Sequence, residues 1–178
     1  IFTKEGRGAG FARNCGLNVA IGKWLLFADS DDFFIEGFLD IVYDYVDSDA
    51  DMVIFGAMSV DTDTLEPTNR TERINTKIEA CLLGKISEKE MSLSVHVPWC
   101  RLIKRQFVEK NNIRFDEVMA SNDTMFSTKD SCLAKQIIVD KRIIYVCTER
   151  SGSLWNNRYK DANNYLTRLE VYIRRNKY

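Results

Sequence analysis

The chain has 178 residues, 45% hydrophobic and 29% charged, which is enough to bury the core of one ordinary domain and excludes a disordered polymer. Its net charge of −1, from 25 Lys+Arg and 26 Asp+Glu, excludes a nucleic-acid binder that works by bulk positive charge. The five cysteines, Cys15, Cys81, Cys100, Cys132 and Cys147, lack CxxC spacing and read as buried thiols of a reducing, cytoplasmic compartment.

In chain order, residues 6–22 (GRGAGFARNCGLNVAIG) read as a helix entered through glycines, with Phe11, Cys15 and Val19 on one face and Gly22 as its stop. Gly16 inside that helix costs ~1 kcal/mol relative to Ala, which predicts close packing there. WLLFA, residues 24–28, is a short apolar run without alternation and predicts a strand buried on both faces. Residues 35–46 have helical periodicity, and residues 51–58 (DMVIFGAM) predict a second buried strand. Alternation of helix and buried strand is the α/β pattern with a mostly parallel sheet. Residues 61–76 read as a polar loop or edge hairpin around Pro67, followed by a helix near Ile78–Leu83. Further elements are a strand over 99–103, helices over 104–112 and 122–134, and a strand or hairpin in QIIVDKRIIYVC. The tail, from about Asn163 to Lys177, predicts an amphipathic helix with Tyr165, Leu169 and Tyr172 on one face and Arg174, Arg175 and Lys177 at its end. No apolar stretch approaches the ~20 residues of a membrane helix.

The first chemical signal is FADSDDFF, residues 27–34, where Asp29, Asp31 and Asp32 crowd the end of an apolar strand. Ligands of open α/β sheets bind just beyond such strand ends. Acidic residues there can cap a helix, yet Asp32 has Ile35 three positions on, so the capping box is absent. Adjacent carboxylates repel unless a cation compensates them, and hard oxygen ligands suit Mg²⁺, Mn²⁺ or Ca²⁺ shared with phosphates. Both the metal and the capping roles fit the residues. Upstream, Gly6, Gly8 and Gly10 lead into a helix carrying Arg13 and Asn14, and a guanidinium there suits a phosphate.

Taken together, GRGAGFARNCGLNVAIGKWLLFADSDDFF resembles the centre of the family 2 glycosyltransferases with the GT-A fold: a Gly-rich turn, ARN-x-G-L, an apolar strand and DSDD before an aromatic, in that order and spacing. PWCRLIKRQFV, residues 98–108, resembles the family's Trp-Asn-Lys-Leu segment, with Cys100 and Arg101 replacing Asn and Lys. SNDTMF, residues 121–126, resembles its Glu-Asp segment, with Asn122 in place of Glu and Asp123 retained. ERSGSL, residues 149–154, resembles its Arg-x-x-x-Ser segment. The resemblance covers about residues 4–155.

The resemblance implies a single partial GT-A (Rossmann-like) α/β domain, a mostly parallel sheet flanked by helices and lacking the family's first strands. Within it, residues 1–60 would form the metal and donor half, 61–155 the acceptor and catalytic-base half, and 156–178 the C-terminal amphipathic helix. It implies an inverting transfer from a nucleotide-diphosphate sugar, a UDP-sugar first, to a glycan or lipid-linked acceptor. Asp29, Asp31 and Asp32 would hold Mn²⁺ or Mg²⁺. Arg13, Asn14, Asp29 and Asp31 would line the donor, Asp123 would be the general base, and Trp99 and Arg150 would lie on the acceptor side. By residue chemistry alone Asp123 also fits a first-turn acid and Trp99 a core aromatic.

The chain opens at Ile1 inside a stretch that reads as a strand, and the family's nucleoside-binding motifs do not occur in it. The expectation is therefore a fragment with weak or no activity of its own, whose exposed sheet edge invites a second copy. The basic tail suits packing on its own domain or peripheral contact with the inner face of a membrane. Two other functions fit the residues: a non-catalytic module binding a sugar nucleotide or glycan, which Asn122 and Cys100 permit, and a nucleotidyltransferase, whose paired acids also hold metal.

Overall fold

The computed structural model describes residues 8–150 and 161–178. The elements are α1 (Gly8–Val19), β1 (Trp24–Leu25), β2 (Phe33–Phe34), α2 (Phe38–Tyr43), β3 (Met52–Asp61), α3 (Glu72–Leu82), α4 (Glu88–Ser94), β4 (Arg101–Lys104), α5 (Arg105–Lys110), α6 (Thr124–Leu133), β5 (Ile137–Glu149) and α7 (Ala162–Lys177). The fold is the expected mixed α/β arrangement. Its five-stranded sheet has the order β1-β4-β3-β5-β2. The longest ladder is parallel, β3 against β5, running from Met52 opposite Ile137 to Asp61 opposite Glu149. β4 pairs antiparallel with both β1 and β3, and β2 pairs antiparallel with β5.

β3 is a run of apolar residues because it is buried on both faces, and Met52, Val53, Ile54 and Phe55 have no exposed surface. QIIVDKRIIYVC resolves as one strand rather than a hairpin. Its ladder to β3 shifts register around Gly56, where an added Cβ would stand 2.9 Å from the Lys141 carbonyl, so only glycine lets the bulge close. The predicted strand over 24–28 shortens to Trp24–Leu25. Beyond it Phe27 turns into an aromatic cluster, edge-on to Phe115 at 5.0 Å and to Phe126 at 5.5 Å.

Helix α3 begins at Glu72, inside the stretch 61–76 expected as a loop or edge hairpin and six residues before the expected helix near Ile78–Leu83, because its one-sided apolar spacing starts at Ile74; it buries Ile74, Ile78 and Cys81. Helix α4 starts at a capping box, in which the Ser87 hydroxyl accepts from the Glu90 amide and the Glu90 carboxylate accepts from the Ser87 amide. Two helices turn a different face inward than their apolar spacing predicts. In α1 the buried residues are Gly10, Asn14 and Leu17, while Val19 is 56% exposed. In α7 only Val171 is buried, and Tyr165, Leu169 and Tyr172 face outward at 49%, 47% and 40% exposure. The polar side of α7 grips the domain instead, through Arg174 to the Asp116 carboxylate at 2.5 Å and Arg175 to the Leu93 carbonyl at 3.2 Å. Charge-assisted hydrogen bonds, not apolar burial, set that orientation.

At the centre of the core lies a buried ion pair, Arg101 of β4 with Asp130 of α6, at 2.5 Å with neither side chain exposed. The guanidinium also donates to the carbonyls of Ser92 (2.7 Å), Val95 and Ser127 and to the Ser131 hydroxyl at 3.0 Å. Burial pushes the Asp130 carboxyl up to about 6, against the pull of Arg101. Breaking one side of such a pair leaves the other charge uncompensated. Asp130→Ala should lower the unfolding free energy by about 3–5 kcal/mol, whereas Arg101→Met with Asp130→Leu should cost far less, both read from urea titrations. Equal losses for the single and the double replacement would show that the charges are not coupled.

His96, the single histidine, has a buried Nε2 with no hydrogen-bond partner among the described residues. Burial, then Arg175, Arg101 and Arg73, push its pKa down from 6.5 to about 4. The fold therefore holds His96 neutral while the unfolded chain protonates near 6.5. Its contribution is present above that pH and is lost as pH falls towards 4, for about 3 kcal/mol in all. Relative to His96→Gln, the wild type should lose that much stability between pH 7 and pH 4; a constant difference across the range would contradict the burial argument.

Candidate active site

Helix α1 is seated by backbone contact rather than by apolar side chains. A Cβ at Gly10 would lie 2.0 Å from the Asp116 carbonyl, so the helix touches the segment after α5 directly. The Asn14 amide completes the seat, donating to the Phe115 carbonyl at 3.0 Å and accepting from the Phe115 amide at 2.9 Å. It also donates to the Glu117 carboxylate at 3.3 Å. In this structure, then, Asn14 fixes the backbone of residue 115. Gly16, predicted to be tightly packed, has nothing within 4 Å of its Cβ position; the close approach belongs to Gly10.

One turn of α1 away, Arg13 lies 5.3 Å above the Phe115 ring. Its guanidinium pairs with the Asp29 carboxylate and donates to Asn122 Oδ1 at 2.7 Å. Arg13 thus joins the acidic loop to the segment that opens α6. Asn122, where the family resemblance has Glu, supplies the acceptor that holds Arg13 there.

The three acids of the loop separate by environment. Asp32 turns inward, its carboxylate accepting from the Thr148 amide at 2.8 Å and from the Tyr145 hydroxyl at 3.1 Å. Burial raises its pKa, opposed by the Thr148 and Tyr145 hydrogen bonds. Asp29 accepts from Arg13, and its amide donates to the Tyr145 hydroxyl at 2.8 Å. Asp31 is exposed, and its carbonyl accepts from the Thr148 hydroxyl at 2.8 Å.

Asp123 occupies the N-cap position of α6 in helical conformation and makes no side-chain capping bond. Ser121, two residues before it, has φ 58°, a left-handed turn that re-aims the chain into the helix. Burial raises the Asp123 pKa; Arg13 and Arg168 oppose that rise and Asp29 adds to it. A carboxyl shifted towards neutrality is better matched to taking a proton.

The structure thus brings Arg13, Asp29, Asn122 and Asp123 together. It also adds Arg168 of α7, whose Nη1 stands 3.5 Å from the Ser121 hydroxyl. Arg168, Tyr145 and Thr148 were not singled out from the sequence, since each reaches the site only through long-range packing. Trp99 is 4% exposed and stacks on Tyr145 with centroids 4.9 Å apart and planes at 11°. Arg150 directly follows β5 and is exposed. Gly6 and Ser153 of the quoted motifs lie outside the described residues.

Among the described residues no three His, Cys, Asp or Glu side chains converge as a metal cage. One open carboxylate at Asp31, with Asp29 two positions away, still fits a Mg²⁺ or Mn²⁺ ion that takes its remaining ligands from phosphates and water.

An acidic loop beyond the strand ends of a mixed α/β sheet is thus joined through Arg13 to the segment that opens α6. The match to Glycosyl transferase family 2 spans residues 1–111, and the chain belongs to that family. It is 24% identical over 159 residues to glycosyltransferase GlyG of Streptococcus pneumoniae serotype 4, covering 85% of this chain and 52% of that protein. It is also 24% identical over 172 residues to a cholesterol galactosyltransferase of Borreliella burgdorferi, covering 86% and 45%. The crystal structure of S. aureus TarS 1-349 in complex with UDP-GlcNAc shares the fold with a TM-score of 0.62 at 20% identity, over 85% of this chain and 42% of that one. The chain spans about half the length of the curated relatives GlyG and the galactosyltransferase.

The seat of α1 predicts opposite effects at its two interior glycines. Gly10→Ala must displace backbone and should destabilise by about 1–3 kcal/mol or more. Gly16→Ala meets open space and should stabilise by up to about 1 kcal/mol. Thermal melts of the two variants check this; equal shifts of the same sign would refute the α1 packing.

Proposed function

We propose that this chain is the catalytic part of a glycosyltransferase that moves a sugar from a nucleotide-diphosphate sugar, a UDP-sugar first, to a hydroxyl of a glycan or lipid-linked acceptor. The observation that carries the reading is the Arg13 bridge, which ties the acidic loop at Asp29 to the Asn122–Asp123 segment. Family membership supports the reaction class, and TarS, whose crystal structure holds UDP-GlcNAc, supports the donor class. The galactosyltransferase relative, named for cholesterol, supports a lipid among the acceptor classes.

Asp31, with Asp29 beside it, would hold Mn²⁺ or Mg²⁺ on the diphosphate; when bound, the ion supplies a Lewis acid for the charge that develops on the leaving group. Asp123 takes the proton of the acceptor hydroxyl as its oxygen bonds to the anomeric carbon. The bond from that carbon to the diphosphate oxygen breaks, and the nucleoside diphosphate departs with the electron pair. Attack from the face opposite the leaving group inverts the anomeric centre. Arg13 keeps the two halves of the site in register. Contact of the exposed apolar face of α7 with a membrane belongs to the same proposal.

A second reading, a binding module without turnover, draws support from Asn122 standing where the family resemblance has an acid. One assay separates the two. UDP release from a panel of UDP-sugars with Mn²⁺ and acceptor should require metal, vanish in Asp31→Asn, and fall about 10²–10⁴-fold in Asp123→Asn with donor binding retained. Saturable donor binding with no release from any donor and acceptor pair, also when the chain is joined to the nucleoside-binding strands of a family 2 relative, would favour the binding module. Release that neither substitution changes would refute both residue assignments.

A further inference from the structure

We infer that Tyr145 is the positioning residue of the acidic loop: its hydroxyl, held between the Asp29 amide and the Asp32 carboxylate, sets the loop backbone so that Asp31 is presented outward. The inference rests on the donor reading above and assigns a role to a residue of β5 that belongs to neither the acidic motif nor the base segment.

Tyr145 has no exposed surface. A phenylalanine would fill the same space, so packing alone gives no reason for the hydroxyl. A buried hydroxyl is costly unless its hydrogen bonds are made, and the two made here both go to the loop. The oxygen accepts from the Asp29 amide at 2.8 Å and donates to Asp32 Oδ2 at 3.1 Å. The ring cannot swing to find other partners, because Trp99 stacks on one side at 4.9 Å and Phe34 meets it edge-on at 5.2 Å.

The loop is therefore stapled to β5 along its length. Its start is held by Tyr145 through Asp29. Its middle is held by Thr148, whose hydroxyl donates to the Asp31 carbonyl at 2.8 Å and whose amide donates to Asp32 at 2.8 Å. Its end is the β2 pairing, Phe33 opposite Val146 and Phe34 opposite Tyr145. Three neighbouring carboxylates would otherwise spread apart. Turning Asp32 inward onto neutral donors leaves Asp31 as the acid free to meet a cation, with its backbone already fixed.

Tyr145→Phe keeps the ring stack and removes only the hydroxyl. Three readouts are compared for wild type, Tyr145→Phe, Thr148→Val and Asp31→Asn: thermal melting, amide hydrogen exchange at Asp29, and Mn²⁺ affinity in the presence of UDP by electron paramagnetic resonance. The expected result for Tyr145→Phe is faster exchange at Asp29 and Mn²⁺ binding at least 10-fold weaker, with a folded melt; donor KM should rise more than kcat falls. Unchanged Mn²⁺ affinity in a folded Tyr145→Phe would overturn the inference and leave Tyr145 a packing residue. Should that variant fail to fold, Thr148→Val carries the test, and wild-type Mn²⁺ affinity there would overturn it equally. A wild type that binds no Mn²⁺ with UDP, or an Asp31→Asn variant that binds as tightly, would instead sink the donor reading and the inference with it.

Discussion

The Arg101–Asp130 pair is the constraint around which the other elements are arranged. Two charges without exposed surface are costly to desolvate, and only close pairing with further hydrogen bonds offsets that cost. Those bonds come from the end of α4, from the residue after it and from α6, so one guanidinium fixes β4, α4 and α6 relative to each other. Asp123 stands at the other end of α6, seven residues or about 10 Å along the helix. Its position over the sheet is thus set from the core upward. Arg101 occupies the place where the resembled family has Lys, and the planar fork explains why that exchange matters: a single ammonium could not reach three carbonyls, a hydroxyl and a carboxylate at once.

The acidic loop meets the same difficulty, crowded like charge, with a different solution. Rather than gathering three carboxylates around one point, the structure assigns each a separate counterpart. Arg13 compensates Asp29, neutral donors from β5 receive Asp32, and solvent screens Asp31. Arg13 does more than neutralise, because Asn122 accepts its other arm. The acidic loop and the segment that opens α6 are therefore linked through one side chain, which the sequence marks only as a phosphate contact.

Much of this is legible in the sequence. β3 follows directly from its apolar run, whereas α3 begins at Glu72, six residues before the helix expected near Ile78, because its polar first turn reads as loop. The acidic loop, Arg13 and Asp123 were visible as residue types in a recognisable order. What escaped was whatever depends on partners distant in sequence. The strand at Trp24 shortened because Phe27 found Phe115 and Phe126. The buried face of α1 was chosen by a glycine and an asparagine that touch backbone, and apolar counting cannot register either. Helix α4 did carry a readable signal, Ser87 and Glu90 in capping-box spacing, which went unused. Pattern does not mark Tyr145, since it lies in a continuous buried run of β5 like any core aromatic and only its hydroxyl distinguishes it.

Helix α7 shows where the usual inference from amphipathicity reverses. Apolar spacing normally marks the face turned to the core. Here the inward face carries Arg168, Arg175 and Val171, and Arg174 reaches round to Asp116. Each of those arginines finds an oxygen on the domain, and such bonds are roughly twice as strong as neutral ones. The segments they grip, around Ser121 and Asp116, are the same ones that seat α1 and open α6. A helix held this way is coupled to the site by charge, and its attachment should weaken with ionic strength in a way that apolar docking does not. The orientation of α7 thus follows from the same device as the rest of the molecule: guanidinium groups placed where three segments must be kept in register.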